Sequence, residues 1–234
     1  MSLAPDIATE LPTHVGVIMD GNRRWARAAG MTRVSLGHRV GADHLEDLLG
    51  WLTTRGIRHA SVYVLSADNI RKRDHDEIGY LFGLIESIVP EKVKASGEWQ
   101  LHIAGDTTLL PESCATALEN AVSATAGRRS HLTLAIGYDA KQEVVDAVRA
   151  VLVAGEHPDE AAITSRLPGG PIKDIDLVIR TSGEQRISGF FPWQSQHAEI
   201  VFSNKFWPAF DEHDLDLALR EFARRRVATH PFRS

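Results

Sequence analysis

The chain has one cysteine, Cys114, in 234 residues. That excludes an internal disulfide and fits a reducing compartment, so a cytoplasmic location is expected. There is no positive excess. Formal net charge is −5, which excludes a molecule-wide basic field of the kind nucleic acid attracts, and any anion must be held by local cations. No apolar run approaches the roughly 20 residues of a membrane span, and the start, MSLAPDIATELPTH, lacks the basic-then-apolar order of a signal peptide. A peripheral membrane contact stays open. The loop motifs GxxxxGK[ST] and GxGxxG are absent, as are HExxH, paired-cysteine zinc spacing and the Gly-x-Ser-x-Gly elbow, so the common nucleotide, zinc and hydrolase sites drop out.

What is present is an ordinary globular composition, 43% hydrophobic and 24% charged, enough for a full core in one domain spanning 1–234. Residues 1–13 are expected to form a flexible N-terminus. Short apolar runs at Val15–Met19, Ser61–Leu65, Trp99–Ile103, His131–Ile136, Leu177–Ile179 and Ile200–Phe202 read as six strands. Amphipathic spacing predicts helices from about Asn22, over 40–54, from Asp74, from Pro111, over 140–154 and over 212–226. Asp74 and Glu77 have capping-box spacing, and Val144, Val145, Val148, Val151 and Leu152 share a helical face. Alternation of this kind predicts an α/β fold with a central, mainly parallel sheet covered by helices on both faces.

In such sheets ligands sit beyond the carboxyl ends of the strands. Three of those ends are polar: Asp20-Gly21-Asn22-Arg23-Arg24, Ser66-Ala67-Asp68-Asn69, and the turn from Arg180 to Ser188 with Arg186 six residues on. Arginine forks suit phosphate oxygens. One carboxylate, Asp20, is enough for Mg²⁺ when substrate phosphates complete the shell, and a helix starting near Asn22 turns its positive end toward an anion. Of the histidines only His38, in LGHRVG, has a notable context.

HVGVIMDGNRRWAR, GHRVGA, VYVLSADN, DLVIRTSGEQRISGFFPWQSQHAEIVF and FWPAFDEHDL, in order from about residue 14 to 226, resemble the cis-prenyltransferases, the Z-isoprenyl or undecaprenyl diphosphate synthase family. The resemblance implies a six-strand cis-prenyltransferase fold, a homodimer, Mg²⁺, and head-to-tail condensation of isopentenyl diphosphate with an allylic diphosphate to give a Z double bond. Carried over, Asp20 is the essential aspartate at the allylic diphosphate and metal. Gly21, Asn22, Arg23, Arg24 and His38 cradle that diphosphate, with Trp25 as wall or core. Arg180, Arg186 and Ser188 grip isopentenyl diphosphate, and Glu199 helps place Mg²⁺ there. Ser66 and Asn69 line the reacting centre and Arg73 matches a family arginine. Asn69 is a poor base, so a diphosphate oxygen is an equal candidate for the proton acceptor. Trp193 reads as core.

The chain departs from the family pattern at several points. Arg23 replaces a glycine, Ile70 a tryptophan, Asp68 a glutamate and Pro192 an aliphatic residue. Gly137-Tyr138-Asp139-Ala140 replaces Gly-Tyr-Gly-Gly, and Arg224-Arg225-Arg226-Val227 stands where an Arg-x-Gly would begin. Val64-Leu65 resembles short-chain actinobacterial members, which implies a product of about C15, with Leu134, Phe82 and Ile85 as the expected floor. Two alternatives remain: head-to-middle coupling of two dimethylallyl units on the same fold, and a non-catalytic subunit of a heteromeric synthase.

Overall fold

The structure, a computed structural model, describes residues 10–229. Most of the expected N-terminal tail lies outside that range. Thr13 does not belong to a tail, because its amide donates to Asp176 Oδ2 at 2.7 Å.

Six strands form one sheet: β1 (His14–Ile18), β2 (His59–Ser66), β3 (Trp99–Ala104), β4 (Ser130–Tyr138), β5 (Leu177–Arg180) and β6 (Glu199–Phe202), in the order β3-β4-β2-β1-β5-β6. Every pairing is parallel, so all carboxyl ends open on one edge. β1, β4 and β5 are buried along nearly their whole length because both sheet faces are covered.

The helices are α1 (Asn22–Ala28), α2 (Leu36–Thr54), α3 (Ala67–Lys72), α4 (His75–Ala95), α5 (Glu112–Ala124), α6 (Ala140–Val153), α7 (Glu160–Arg166) and α8 (Glu212–Thr229). The main core joins Leu45, Leu48, Leu49 and Leu52 of α2 to Leu81, Leu84, Ile85, Ile88 and Val89 of α4 against β1, β2 and β4. A smaller core on the other face packs Tyr138, Ile175, Val178, Phe190 and Phe191. Trp193, expected in the core, is only partly buried: it packs against a third cluster of Ala147, Val151, Ile163 and Leu167, and its Nε1 donates to Thr164 Oγ1 at 2.9 Å.

Two local expectations need correction. The α6 face drawn through Val145 and Leu152 is not the inward one, since these side chains are 42% and 57% exposed. The buried stripe is Glu143, Ala147 and Val151, at four-residue spacing. Glu77 does not close a capping box. Asp74 caps α4 by accepting from the Asp76 amide at 2.9 Å, and Glu77 points into a cluster of bases. Short helices α3 and α7, of 6 and 7 residues, are too brief to show a helical period.

Candidate active site

β1 ends at Ile18 and delivers Asp20 to the carboxyl edge, where Gly21 turns the chain into α1. Gly21 has φ +100°, and a Cβ there would meet Phe206 Cδ1 at 2.7 Å, so glycine is required twice over. α2 approaches α1 closely enough that a Cβ on Gly37 would fall 2.1 Å from the Asn22 carbonyl oxygen, which fixes His38 beside the turn. Asn22 Nδ2 donates to the Met19 carbonyl at 3.0 Å.

β5, next to β1, delivers Arg180. This side chain is 4% exposed and ties the site together. Its Nη2 donates to Asp20 Oδ2 at 2.8 Å, and its Nη1 to Ser188 Oγ at 2.8 Å and to the Arg186 carbonyl at 2.5 Å. Thr181 completes the join: its Oγ1 accepts from the Asp20 amide at 2.9 Å and donates to the Asp20 carbonyl at 2.7 Å. Arg24 Nη2 donates to Ser182 Oγ at 2.6 Å and lies 3.5 Å from Asp20 Oδ1. Burial opposes the charge on Asp20, but the hydrogen bond and charge of Arg180, with Ser182 and the Gly21 amide, outweigh it and hold the carboxyl below its usual value.

Two cavities open here. The first, about 410 Å³, has a polar mouth of Asp20, Gly21, Asn22, Arg23, Arg24, Arg27 and His38 and an apolar depth of Leu45, Leu81, Leu84, Ile85 and Val89. The second, about 590 Å³, is lined by Ser66, Asn69, Tyr138, Lys141, Arg180 and Ser188. Met19, Asp20, Tyr63, Val64 and Arg73 line both. The expected floor is revised: Ile85 lines the first cavity with Leu84 and Val89, while Leu134 and Phe82 do not. Leu134 belongs to the core behind it.

Most of the residues named from the sequence therefore gather at one edge, and the exceptions have physical reasons. Trp25 is half-buried and lines neither cavity. The Arg186 side chain is 61% exposed and paired with Glu184 outside the second cavity; only its carbonyl reaches Arg180. Ser66 caps α3, accepting from the Asn69 amide at 3.0 Å. Glu199 starts β6 in register with Leu177, three residues, or roughly 10 Å, along the strand from the Arg180–Phe202 level. Its Oε2 stands 3.5 Å from Arg225 Nη1. Among the described residues Glu199 thus stands apart from Asp20, and the two carboxylates do not converge on one point.

Sequence reasoning passed over Glu77. Its carboxylate stands 2.9 Å from Arg73 Nη1, 3.3 Å from Arg23 Nη1 and 3.4 Å from His38 Nε2, tying α1, α2 and α4 at the mouth of the first cavity. Burial first, then the nearby Arg73 charge, lowers His38 to about 4 despite Glu77, so the imidazole is neutral at pH 7. Capping-box spacing masked this role; the run of bases at 71–73 was the available signal. Arg27 and Glu184, which stands 3.3 Å from Arg24, were passed over too.

Among the described residues no group of three or more His, Cys, Asp or Glu side chains converges as a metal cage. Asp20 alone fits a hard divalent cation that takes its remaining ligands from phosphate and water: its carboxylate is a third exposed and borders both cavities.

A carboxylate and a set of arginines at the junction of a half-apolar and a polar cavity define a site for two anionic substrates, one of them carrying a hydrocarbon tail. The family model Prenyltransf, "Putative undecaprenyl diphosphate synthase", matches residues 18–229. The chain is 45% identical to an isoprenyl transferase of Streptomyces fradiae, over 94% of this chain and 90% of that one. It is 42% identical to a (2Z,6E)-farnesyl diphosphate synthase of Mycobacterium tuberculosis, over 93% and 87%. The structure of lavandulyl diphosphate synthase from Lavandula x intermedia, in complex with dimethylallyl diphosphate, superposes with a TM-score of 0.84 at 31% identity, covering 91% of this chain and 95% of that one. The chain belongs to the undecaprenyl diphosphate synthase family and is a prenyltransferase. No helix among the described residues is long and apolar enough to cross a membrane.

Proposed function

We propose that this prenyltransferase condenses isopentenyl diphosphate with a short allylic diphosphate to give a Z-prenyl diphosphate of about fifteen carbons. The observation that carries this is the pair of cavities meeting at Asp20, Tyr63, Val64 and Arg73. The allylic tail lies in the apolar depth under α4, with its diphosphate at Arg23, Arg24, Arg27, His38 and the Gly21–Asn22 turn. Isopentenyl diphosphate lies in the second cavity on Arg180 and Ser188. The reacting carbons then face each other across the shared lining.

The allylic C1–O bond breaks as diphosphate leaves, and the surrounding arginines stabilise the developing charge. The isopentenyl double bond attacks C1, and a C2 proton departs to a diphosphate oxygen. Asn69, an amide with no useful basicity, orients the acceptor. Mg²⁺ held by Asp20 would neutralise phosphate charge when bound. Tyr63 and Val64 shield the junction from water, which would otherwise capture the allylic cation. A volume of about 410 Å³ is near the low end of the roughly 300–1,000 Å³ range of ligand pockets, which supports a short product.

Similarity to a lavandulyl diphosphate synthase in complex with dimethylallyl diphosphate favours one second reading, coupling of two dimethylallyl units. Purified protein with Mg²⁺, labelled isopentenyl diphosphate and allylic primers of five, ten and fifteen carbons separates them. Head-to-tail products of ten to twenty carbons are expected. Product from dimethylallyl diphosphate alone would replace the first reading by the second, and no product from any pair would overturn both.

A further inference from the structure

We propose that Lys141 is a further substrate-binding residue, closing the second cavity on the diphosphate of isopentenyl diphosphate; this rests on the assignment of that cavity to the acceptor substrate. Three cations line the cavity: Arg73, Lys141 and Arg180. Arg73 is committed to Glu77 at 2.9 Å. Arg180 is committed to Asp20, Ser188 and the Arg186 carbonyl. The Lys141 ammonium has no partner among the described residues. The acids of the lining do not neutralise it, since Asp68 pairs with Lys72 at 2.6 Å and Asp139 caps α6, accepting from the Lys141 and Gln142 amides at 3.0 and 3.2 Å.

The cap also removes the rival explanation. The first amides of α6 already have their acceptor, so the helix N-terminus itself offers an anion little, and the side chain remains. A lysine in the first turn opposes the helix dipole, a local cost that an arriving anion reverses. The second turn of the site is close enough to share a ligand: a Cβ built on Gly189 would lie 3.7 Å from Ala140 Cβ. The Ser188–Gly189 turn thus folds back onto the start of α6, and a diphosphate on Arg180 and Ser188 has Lys141 on its open side. A flexible ammonium suits this place, where it can follow a phosphate as the acceptor enters and the product leaves.

The test measures binding and turnover together. Isothermal titration of the full chain with isopentenyl diphosphate alone and with dimethylallyl diphosphate alone is run for wild type, Lys141→Gln and Lys141→Arg. Lys141→Gln is expected to weaken isopentenyl diphosphate about tenfold and to raise its KM similarly, with dimethylallyl binding, kcat and Tm unchanged; Lys141→Arg should recover most of the loss. Isopentenyl diphosphate binding within twofold of wild type in Lys141→Gln overturns the proposal while leaving the assignment of the cavity intact. A wild-type chain that does not bind isopentenyl diphosphate overturns both. If it binds but forms no head-to-tail product, a selective loss in Lys141→Gln still supports Lys141, and only the reaction is reassigned.

Discussion

At the scale of single residues, Asp20 and Arg180 carry the site. Arg180 is nearly fully buried and its Nε has no acceptor among the described residues, so its charge is balanced chiefly by one carboxylate at 2.8 Å. Asp20 in turn is the acid that both cavities share. Replacing it with asparagine keeps the shape and an acceptor oxygen but removes the charge that a phosphate-bound cation would meet. Asp20→Asn is expected to lower kcat by about 10²–10³-fold, read by product formation in protein whose circular dichroism matches wild type. Activity within tenfold of wild type would remove Asp20 from the chemistry. The motif around Asp20 was legible because an acid terminating an apolar strand is a local pattern. Glu77 was not: its partners Arg23 and His38 are 54 and 39 positions away in sequence, and only the close packing of α1, α2 and α4 brings the three together.

At the scale of elements, strand runs were readable because a strand buried on both faces is a continuous apolar word. Helix faces were less so. In α6 five aliphatic residues outlined a stripe, yet the protein turns Val145 and Leu152 to solvent and buries Glu143, whose Oε2 accepts from Tyr138 at 2.8 Å and from Gln194 at 3.0 Å. A buried carboxylate with one partner on the adjoining strand and another 51 positions along the chain cannot be seen in a periodicity. The same limit applied to the tunnel floor. Residues of α4 were expected there, but which of Leu81, Phe82, Leu84 and Ile85 face inward depends on the rotation of α4 over β2. Val64, on β2, borders both cavities, and an elongating chain must pass it on the way under α4. Val64→Ala removes two methyl groups from that passage and is expected to shift the main product from fifteen carbons to twenty or more, measured by chromatography of the dephosphorylated products. An unchanged product distribution would show that the floor of Leu84, Ile85 and Val89 alone limits length.

At the scale of the whole molecule, the two edges of the sheet have opposite characters. The carboxyl edge gathers charge. Toward the amino edge a row of histidines crosses four adjacent strands: His14 of β1, His59 of β2 and His131 of β4 lie at one register level, and His102, two residues further along β3, reaches His131. His59 and His131 stack at 5.1 Å, His102 and His131 at 5.2 Å, and His14 lies 5.9 Å from His59. A Cβ built on Gly170 would lie 2.8 Å from His131 Cβ, so the loop around 169–173 lies directly against the row, and Lys173 Nζ donates to the Gly169 carbonyl at 3.2 Å. Lys173 adds positive charge near His14 and His102, and its own nearest acid influence is Glu143. Burial, then the neighbouring imidazoles, lowers His14 to about 3 and His59 and His102 to about 4, and burial lowers His131.

With folded values below the free value, the unfolded chain binds more protons as pH falls. The stabilisation is complete above about pH 6.5 and is lost as pH drops toward 4. For His14, moved from 6.5 to about 3, the loss at pH 5 is on the order of 2 kcal/mol. Urea midpoints should therefore fall clearly between pH 7.5 and pH 5. His59→Leu should flatten the dependence, because the buried His59 Nδ1 has no hydrogen-bond partner among the described residues to lose and its removal relieves His14. Equal midpoints at the two pH values would mean that the row takes up protons without cost. The active edge, whose Asp20 is held ionised, would then set the acid limit instead.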